Sequence, residues 1–292
     1  MVLTYGSKVA SIFWQKVFMN KNKRDFRFRL DRKIKRICFD LDGTLLNSEK
    51  HISLNTSRCI TKLRDRGISF ALVSGRHYEE MTKYADMLGF SENDYLISSD
   101  GFYLFDYSGK LIYRNQGFEL GDITAIIELG NIAECAMIGP SKDFYFRSNF
   151  FEFFFKKLQF IKNRRVRIVD RIDRIEYPVE KIVLKSNLSK QKLEKISKKY
   201  FIRKESNGTV EIFPVGISKF TAIKKLLTLN NEAINEILYF GDEYNDLECF
   251  ENIKYTIAMG NAQLKLKKLA WGETLSNDQE GVCYALSKLF GI

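Results

Sequence analysis

Histidine is scarce in this chain, which has only two, His51 and His77, among 292 residues. Imidazole serves as the base in most catalytic triads and as the commonest ligand in catalytic zinc sites. Triads built on histidine and histidine-rich metal sites are therefore nearly excluded, and any catalytic chemistry has to rest on other side chains.

Cysteines are few and widely scattered, and none forms a Cys-x-x-Cys pair; the five are Cys38, Cys59, Cys135, Cys249 and Cys283. This distribution predicts buried, reduced thiols in a cytoplasmic protein, not a disulfide framework. Uninterrupted apolar runs are also missing, because none approaches the roughly 18 residues that a membrane span requires. We therefore expect no membrane-spanning segment.

The positive charge is concentrated at the N-terminus. The net charge is +11, and residues 1–36 contain eleven Lys and Arg residues against two Asp residues, so only about two positive charges belong to the remainder. Residues 1–33 are predicted to be a basic extension with one apolar helical face. Such a segment can contact an anionic membrane, a partner or an import receptor. The alternative is a disordered tail, or a translation start upstream of Met19. Little else in the chain favours nucleic-acid binding.

Predicted strands and helices alternate over much of the chain. Strands at 35–39, 68–73, 95–99, 237–241 and 255–259 are separated by helical patterns. Such alternation predicts an α/β fold with a Rossmann-like, doubly wound parallel sheet. Between residues 116 and 213 the elements become shorter and mixed. We therefore predict a core domain formed by residues 34–115 and 214–292, with an α+β cap domain inserted at 116–213.

Asp40 and Asp42 follow the first predicted strand directly, and Gly43 and Thr44 then turn the chain. In an open parallel sheet, ligands bind beyond the carboxyl ends of the strands. Two carboxylates at that position suit phosphoryl transfer, because one can attack phosphorus while the other handles the proton of the leaving group. Alone, Asp-x-Asp-Gly is also an ordinary turn sequence.

Three more polar groups end or begin predicted elements. Ser74 and Gly75 follow the second strand, where a hydroxyl and a close backbone approach suit a phosphate. Lys219 opens a helix, where a fixed ammonium could neutralise phosphate and carboxylate together. Asp242 and Asp246 follow a later strand and suit Mg²⁺ ligation. Each alone could be a turn, a solvated lysine or a helix cap, but their common position at element ends favours one site.

In these segments the chain resembles the haloacid dehalogenase superfamily, and within it the Cof-type hydrolases with a type IIB α/β cap. The matching segments are FDLDGTLL (39–46), VSGR (73–76), FPVGISK (213–219), GDEYNDLECF (241–250), AMGNA (258–262) and SNDQEGV (276–282). More than 140 residues separate Ser74 from Lys219, which is the room that this subgroup's cap needs. The resemblance runs from about residue 34 to the C-terminus.

The resemblance implies a magnesium-dependent phosphatase acting on a small phosphorylated metabolite. Asp40 would be the nucleophile that forms an aspartyl-phosphate, and Asp42 the general acid and base. The phosphoryl group would be held by Ser74, Gly75, Lys219 and Asn245. The resemblance also implies Mg²⁺ ligation by Asp40, Asp242 and the Asp42 carbonyl group, with Asn245 and Asp246 in support.

One departure from the family lies at the third strand, where Asp100-Gly101 replaces the usual Asn-Gly. Together with Arg76, these two residues are candidate substrate contacts, so the departure concerns the substrate more than the catalysis. A Phe-rich stretch at 144–160 could be an apolar wall for the leaving group, a dimer surface or simply cap core. A phosphomutase, or an idle binding module on the same fold, remains the alternative function.

Overall fold

The computed structural model describes residues 30, 33–130, 135–138, 144–147, 166–168, 171–175, 178–185, 188–204 and 209–292. Within these residues the strands form two sheets, one of eight strands and one of six. We call the first the core sheet and the second the cap sheet. The predicted N-terminal extension and most of the Phe-rich stretch lie outside the described residues.

The core sheet contains β1 (Arg36–Phe39), β2 (Ser69–Val73), β3 (Tyr95–Ser98), β4 (Tyr103–Asp106), β5 (Leu111–Arg114), β12 (Ile237–Gly241), β13 (Tyr255–Ala258) and β14 (Gly272–Glu273). Their order is β14-β13-β12-β1-β2-β3-β4-β5. The first six run parallel, whereas β4 and β5 are antiparallel additions. The order reverses between β1 and β12, so the crevice beyond these two strands is the expected ligand position.

The helices are α1 (Leu54–Arg64), α2 (Tyr78–Met87), α3 (Leu120–Gly130), α4 (Lys190–Ser197), α5 (Lys219–Asn230), α6 (Leu247–Asn252), α7 (Leu264–Leu269) and α8 (Gly281–Phe290). Several begin at polar caps that satisfy free backbone N–H groups. Ser53 caps α1, and Ser218 forms a capping box with Thr221 at α5. Helix α1 packs against α8, and α5 contacts α6. These contacts fix the helices that carry or support the site.

The cap sheet contains β6 (Cys135–Ile138), β7 (Phe144–Arg147), β8 (Val166–Ile168), β9 (Lys181–Lys185), β10 (Phe201–Lys204) and β11 (Thr209–Phe213), in the order β10-β11-β9-β6-β7-β8. Neighbours are antiparallel except β7 and β8. A separate apolar cluster that includes Phe118, Ile126, Ile182 and Ile212 packs between this sheet and helices α3 and α4.

The α/β fold predicted from the sequence is confirmed, with strand bounds within one or two residues of those predicted. Strand β6, helices α3 and α8, and the two-residue β14 were not predicted. The strands of the cap sheet all lie between residues 135 and 213, and the division into core (34–115, 214–292) and cap (116–213) stays a prediction. Among the described residues, no helix is both long and apolar enough to cross a membrane.

Candidate active site

Asp40 lies where the central strand ends. Strand β1 is completely buried, and its last residue, Phe39, stacks on Phe70 at 6.1 Å and packs against Phe240 at 5.4 Å. The Asp40 N–H donates to the Phe240 carbonyl at 3.0 Å, which continues the ladder of β12 for one more residue. Asp40 as a whole is only 4% exposed. The packing of β1 thus places a carboxylate in the crevice between the two halves of the sheet.

Lys219 is the cation that faces this carboxylate. It is the first residue of α5 and is 1% exposed. Its Nζ lies 2.6 Å from Asp40 Oδ1 and 2.7 Å from Asp246 Oδ1. Burial alone would lower the pKa of Lys219, but Asp246 and Asp40 outweigh it and raise that pKa above its usual value. Lys219 is therefore a permanent positive charge inside the site.

Asp246 has all its oxygens engaged by protein groups. Its Oδ1 accepts from Lys219 and, at 2.6 Å, from the Tyr239 hydroxyl. Its Oδ2 accepts from the N–H groups of Asp242 at 2.9 Å and Glu243 at 3.1 Å. The side chain is fully buried. These bonds hold the loop after β12 and orient Lys219 toward Asp40.

Asp242 lies beside the turn that follows Asp40. Its Oδ1 accepts from the Thr44 hydroxyl at 2.8 Å, and Asn261 donates to its Oδ2 at 3.2 Å. Gly43 adopts φ +82°, and a Cβ there would lie 2.2 Å from Asp242 Oδ2, so both conformation and space require glycine. Burial, followed by repulsion from Asp246, raises the pKa of Asp242 to about 7.

The donor set fits a hard divalent cation. Carboxylate oxygens of Asp40, Asp242 and Asp246 lie within 4.8 Å of one another. Burial, and then the neighbouring carboxylates, also raise the pKa of Asp40, even though Lys219 opposes the change. One lysine thus does not compensate three clustered carboxylates. Oxygen ligands with excess negative charge are what Mg²⁺ prefers in proteins.

Asp42 points to a different set of partners. Arg76 binds it through two nitrogens, with Nε 2.5 Å from Oδ2 and Nη2 2.7 Å from Oδ1, and the Lys50 ammonium lies 2.6 Å from Oδ1. Burial would raise the pKa of Asp42, but these hydrogen bonds outweigh it and lower the pKa to about 2. In this arrangement Asp42 is held as a carboxylate.

Ser74, Gly75 and Arg76 form the loop after β2. Ser74 is 2% exposed, and its hydroxyl accepts from the Arg76 N–H at 3.2 Å. A cavity of about 330 Å³ is lined by Asp40, Asp42, Ser74, Gly75, Arg76, Glu80, Glu243 and Asn245. We call it the phosphoryl cavity. It brings the predicted nucleophile, the predicted acid–base group and the Ser74 loop to one small space.

Asp100 connects the core to the cap sheet. It adopts a left-handed conformation, φ +56°, and its Oδ1 accepts from Asn245 at 3.0 Å. Its Oδ2 accepts from Arg203 of β10 at 2.8 Å and lies 3.7 Å from the Lys181 ammonium of β9. Arg203 and Lys181 also bind Glu211 of β11. We call these four residues the core–cap ion cluster.

The charges of this cluster balance, with two cations and two carboxylates. Burial would raise the pKa of Asp100, but Arg203 and Lys181 outweigh it and hold that pKa well below its usual range. Gly101 follows at φ +98°, and a Cβ there would lie 2.1 Å from the Ser218 carbonyl oxygen. The Asp100–Gly101 turn therefore contacts both the cap sheet and the start of the helix that carries Lys219.

The sequence did not predict the hydrogen bond from Thr44 to Asp242. It also did not single out five other residues of the site, namely Lys50, Lys181, Arg203, Glu211 and Tyr239. Thr44 stands inside a segment that carries the resemblance, and Tyr239 lies on the predicted strand 237–241. Lys50 has no signal beyond being a lysine in a loop. Lys181, Arg203 and Glu211 alternate along their strands with buried apolar residues, which places them on one face of the cap sheet. That alternation can be seen in the sequence, but the sequence does not show that Asp100 of the core is the partner of Lys181 and Arg203.

Comparison with known proteins agrees with this geometry. The sequence profile of the haloacid dehalogenase-like hydrolases matches residues 37–286, and the chain belongs to this family. It is 25% identical over 260 residues to the 5-amino-6-(5-phospho-D-ribitylamino)uracil phosphatase YcsE of Bacillus subtilis, covering 88% of this chain and 96% of that protein. It is also 25% identical over 289 residues to the phosphatase YwpJ of the same organism, covering 88% and 100%.

Solved structures give the same result. A haloacid dehalogenase-like hydrolase from Bacteroides thetaiotaomicron superposes with a TM-score of 0.71 at 25% identity, covering 88% of this chain and all of that one. A HAD/COF-like hydrolase from Plasmodium vivax superposes with a TM-score of 0.72 at 22% identity, covering 89% and 97%. Together with the family profile, these comparisons show that the chain is an enzyme, a haloacid dehalogenase-like hydrolase, as its motifs predicted.

Proposed function

We propose that this protein is a Mg²⁺-dependent phosphatase that hydrolyses a small phosphorylated metabolite through an aspartyl-phosphate on Asp40. One observation carries the proposal: Asp40 is buried at the end of the central strand, bound by Lys219, and lines the same 330 Å³ cavity as Asp42 and Ser74. Nucleophile, acid–base group and phosphate donors are the parts that this chemistry requires.

In the first step a carboxylate oxygen of Asp40 attacks phosphorus. The bond between phosphorus and the ester oxygen breaks, and that oxygen takes a proton from the Asp42 carboxyl group. In the second step Asp42 removes a proton from water, which attacks phosphorus and releases inorganic phosphate from Asp40. Lys219 and Ser74 neutralise and orient the phosphoryl oxygens during both steps.

Asp42 has to change its contacts between these roles. Arg76 and Lys50 hold it ionised, which is the form that accepts a proton from water. To donate a proton in the first step, the carboxyl group has to leave at least one of these cations. A dianionic phosphoryl group entering the phosphoryl cavity would compete for Arg76, and this competition supplies a reason for that change.

Asp40, Asp242 and the backbone carbonyl group of Asp42 would hold the Mg²⁺ ion. When bound, it would neutralise charge on the phosphoryl oxygens. Asp246, whose two oxygens accept four hydrogen bonds, would position Lys219 and the loop of Asp242, with Asn245 beside it. Gly75 would let the phosphoryl group approach the backbone. Arg76, Asp100 and Gly101 would border the bound substrate.

The substrate class includes sugar phosphates, nucleotides and phosphorylated cofactors. The relative YcsE is named for 5-amino-6-(5-phospho-D-ribitylamino)uracil, which makes that compound a reasonable member of a test panel. All five cysteines are free and four are buried, which supports the proposed cytoplasmic location. No nucleic-acid partner is proposed, and a peripheral membrane contact through residues 1–33 stays a prediction.

The test is phosphate release from sugar phosphates, nucleotides, flavin mononucleotide, pyridoxal phosphate and the YcsE compound, with Mg²⁺ and with a chelator. Wild type, Asp40→Asn and the surface control Asp86→Asn are compared. We expect release that requires Mg²⁺, is unchanged in Asp86→Asn and falls by on the order of 10³-fold or more in Asp40→Asn. Acid-quenched wild type should carry a phosphoryl group on the Asp40 peptide. Failure to release phosphate from any compound would favour a binding module.

A further inference from the structure

A second, larger cavity adjoins the phosphoryl cavity. It has a volume of about 520 Å³, and its lining includes Phe201, Arg203, Phe213, Tyr244, Glu248 and Glu251. We call it the outer cavity. Its volume lies in the range of roughly 300–1,000 Å³ that is typical of sites for organic ligands.

The two cavities are neighbours through shared residues. Asn245 lines both, and Lys219 lines the outer cavity while its Nζ lies 2.6 Å from Asp40 in the phosphoryl cavity. The Asn245 amide nitrogen donates to Asp100, but its Oδ1 is buried and has no hydrogen-bond partner among the described residues. A buried acceptor without a partner costs free energy unless a ligand donor reaches it. This position suits a hydroxyl or N–H group of a bound substrate.

Exposed apolar side chains surround the outer cavity. Phe201 is 48% exposed, Tyr244 43% and Val215 73%. On the inner side the buried Phe213 ring carries the Arg203 guanidinium 4.7 Å above its centroid and lies 6.0 Å from the Phe201 ring. Aromatic faces left open beside a catalytic cavity favour stacking with a flat ring. The substrate's alcohol part is the group that would reach them.

The charged residues of the outer cavity restrict the charge that a bound ring can carry. Arg203 is compensated by Asp100 and Glu211, and Lys219 by Asp40 and Asp246. Glu251 lies 4.0 Å from Lys265. In the part of the chain that the structure describes, Glu248 makes no ion pair. Among the described residues, the cavity thus has no spare cation and one uncompensated carboxylate, which would repel a second anionic group on the substrate.

We infer that the outer cavity holds the alcohol part of the substrate and selects an uncharged planar ring there, with Phe201 and Glu248 as specificity-determining residues. Phe201 stacks on the ring, and Glu248 rejects ligands that carry a further negative charge beyond the phosphoryl group. This inference rests on the proposed phosphatase function, because it assumes that the phosphoryl group occupies the neighbouring cavity.

Matched substrates test the inference. Ribose 5-phosphate lacks a ring, uridine and adenosine 5′-monophosphates add an uncharged ring, and orotidine 5′-monophosphate adds a carboxylate to the uridine ring. We expect kcat/KM to be about tenfold higher for the better of the two uncharged nucleotides than for ribose 5-phosphate, as one stacking contact provides. The kcat/KM for orotidine 5′-monophosphate should be about tenfold lower than that for uridine 5′-monophosphate, because Glu248 would repel the carboxylate on its ring.

The variants assign each preference to one residue. Phe201→Ala should reduce the ratio of kcat/KM for the nucleotides to that for ribose 5-phosphate from about ten to about one, whereas Leu229→Ala, a similarly exposed residue away from the cavity, should preserve this ratio. Glu248→Gln should reduce the ratio of kcat/KM for uridine 5′-monophosphate to that for orotidine 5′-monophosphate severalfold, and the surface control Glu194→Gln should preserve it. Equal rates for ribose 5-phosphate and both nucleotides in wild type would overturn the inference while leaving the phosphatase function intact.

A binding measurement separates the inference from the proposed function. Calorimetric titration of Asp40→Asn with adenosine, uridine, orotidine and ribose needs no turnover. Tighter binding of an uncharged nucleoside than of ribose, reduced by Phe201→Ala, supports the inference even where no substrate is hydrolysed. Undiminished binding of orotidine relative to uridine, or no preference for either nucleoside over ribose, contradicts it.

Discussion

At the scale of single residues, Lys219 is important both for the stability of the folded protein and for the proposed chemistry. Its ammonium lies within 2.7 Å of both Asp40 and Asp246 in a fully buried environment. The attraction between these groups offsets the desolvation of all three, so removing the cation leaves two buried carboxylates without compensation. The residue that we propose neutralises phosphate during turnover is therefore also expected to keep the site folded.

Replacing Lys219 by methionine should remove activity and destabilise the protein together. We expect loss of turnover and a decrease of about 3–5 kcal/mol in the free energy of unfolding, because a buried ion pair is broken at one end. Urea unfolding at pH 7 measures the decrease. The control Lys224→Met changes an exposed lysine one turn further along α5 and should stay within about 0.5 kcal/mol of wild type. Equal stability of the two variants would contradict this account.

The raised pKa of Asp242 leads to a prediction of how the stability of the protein depends on pH. Its pKa is raised from 3.8 in the unfolded chain to about 7 in the folded protein. The folded state therefore keeps the proton to higher pH than the unfolded state. It follows that the free energy of unfolding of the metal-free protein should fall as pH rises from about 4 to about 7. Burial and the repulsion from Asp246 are the cause of this loss.

Asp242→Asn should remove the part of this pH dependence that Asp242 contributes, while the raised pKa of Asp40 leaves a smaller decrease of the same sign. Without chelatable metal, the variant should be more stable than wild type at pH 7 by on the order of 1–3 kcal/mol, and the two should converge near pH 4. Thermal unfolding in a chelator across this pH range measures the difference. Parallel curves for wild type and variant would show that Asp242 does not titrate in this window.

At the scale of elements, ion pairs between side chains connect the core to the cap sheet, in addition to the connecting backbone. Arg203 of β10 and Lys181 of β9 reach Asp100 in the turn after β3. Asp100 also binds Asn245, which lines both cavities. The asparagine that the family usually has here could accept only through its carbonyl oxygen, so it would lose one of these two hydrogen bonds as well as the charge. The aspartate therefore matches the two cations on the cap sheet.

Asp100→Asn should affect substrate binding more than chemistry. The cluster would carry an excess positive charge, while Asp40 and Lys219 keep their contacts. We expect KM to change severalfold, kcat to change less than about threefold, and stability to fall by about 1–3 kcal/mol through the weakened charged hydrogen bond. Steady-state kinetics and urea unfolding check this. The cap-surface variant Asp173→Asn is the control, and a drop confined to kcat would place Asp100 in the chemistry instead.

The core elements could be predicted from sequence because local signals specify them. Buried runs such as residues 237–241 end in polar turns, and serine caps mark helix starts at 53 and 218. The positions of Asp40, Ser74 and Lys219 at element ends follow from the same signals. The ion cluster could not be predicted, because Asp100 and Arg203 are 103 residues apart. Which strands of the cap meet that turn depends on tertiary packing, and strand alternation carries no information about it.

At the scale of the whole molecule, the proposed Mg²⁺ site in the carboxylate cluster would link metal binding to folding. Asp40 directly follows β1 and Asp242 directly follows β12, so an ion held by both, as proposed, would bridge segments about 200 residues apart in sequence. A ligand that binds only the folded state stabilises it by mass action. Mg²⁺ should therefore raise the thermal stability of the whole core and not merely order a loop.

We expect Mg²⁺ at a hundredfold excess over its dissociation constant to stabilise wild type by about 2.7 kcal/mol. Removing the metal with a chelator should reverse the gain, and Asp242→Asn should abolish it because a direct ligand is lost. Glu92→Gln, which removes a surface carboxylate far along the core from the site, should keep the full gain. Differential scanning calorimetry over a range of Mg²⁺ concentrations separates specific from general ionic effects, since K⁺ at equal ionic strength should not reproduce the shift. An identical gain in wild type and Asp242→Asn would locate the ion elsewhere and remove the structural basis for a magnesium-dependent reaction at Asp40.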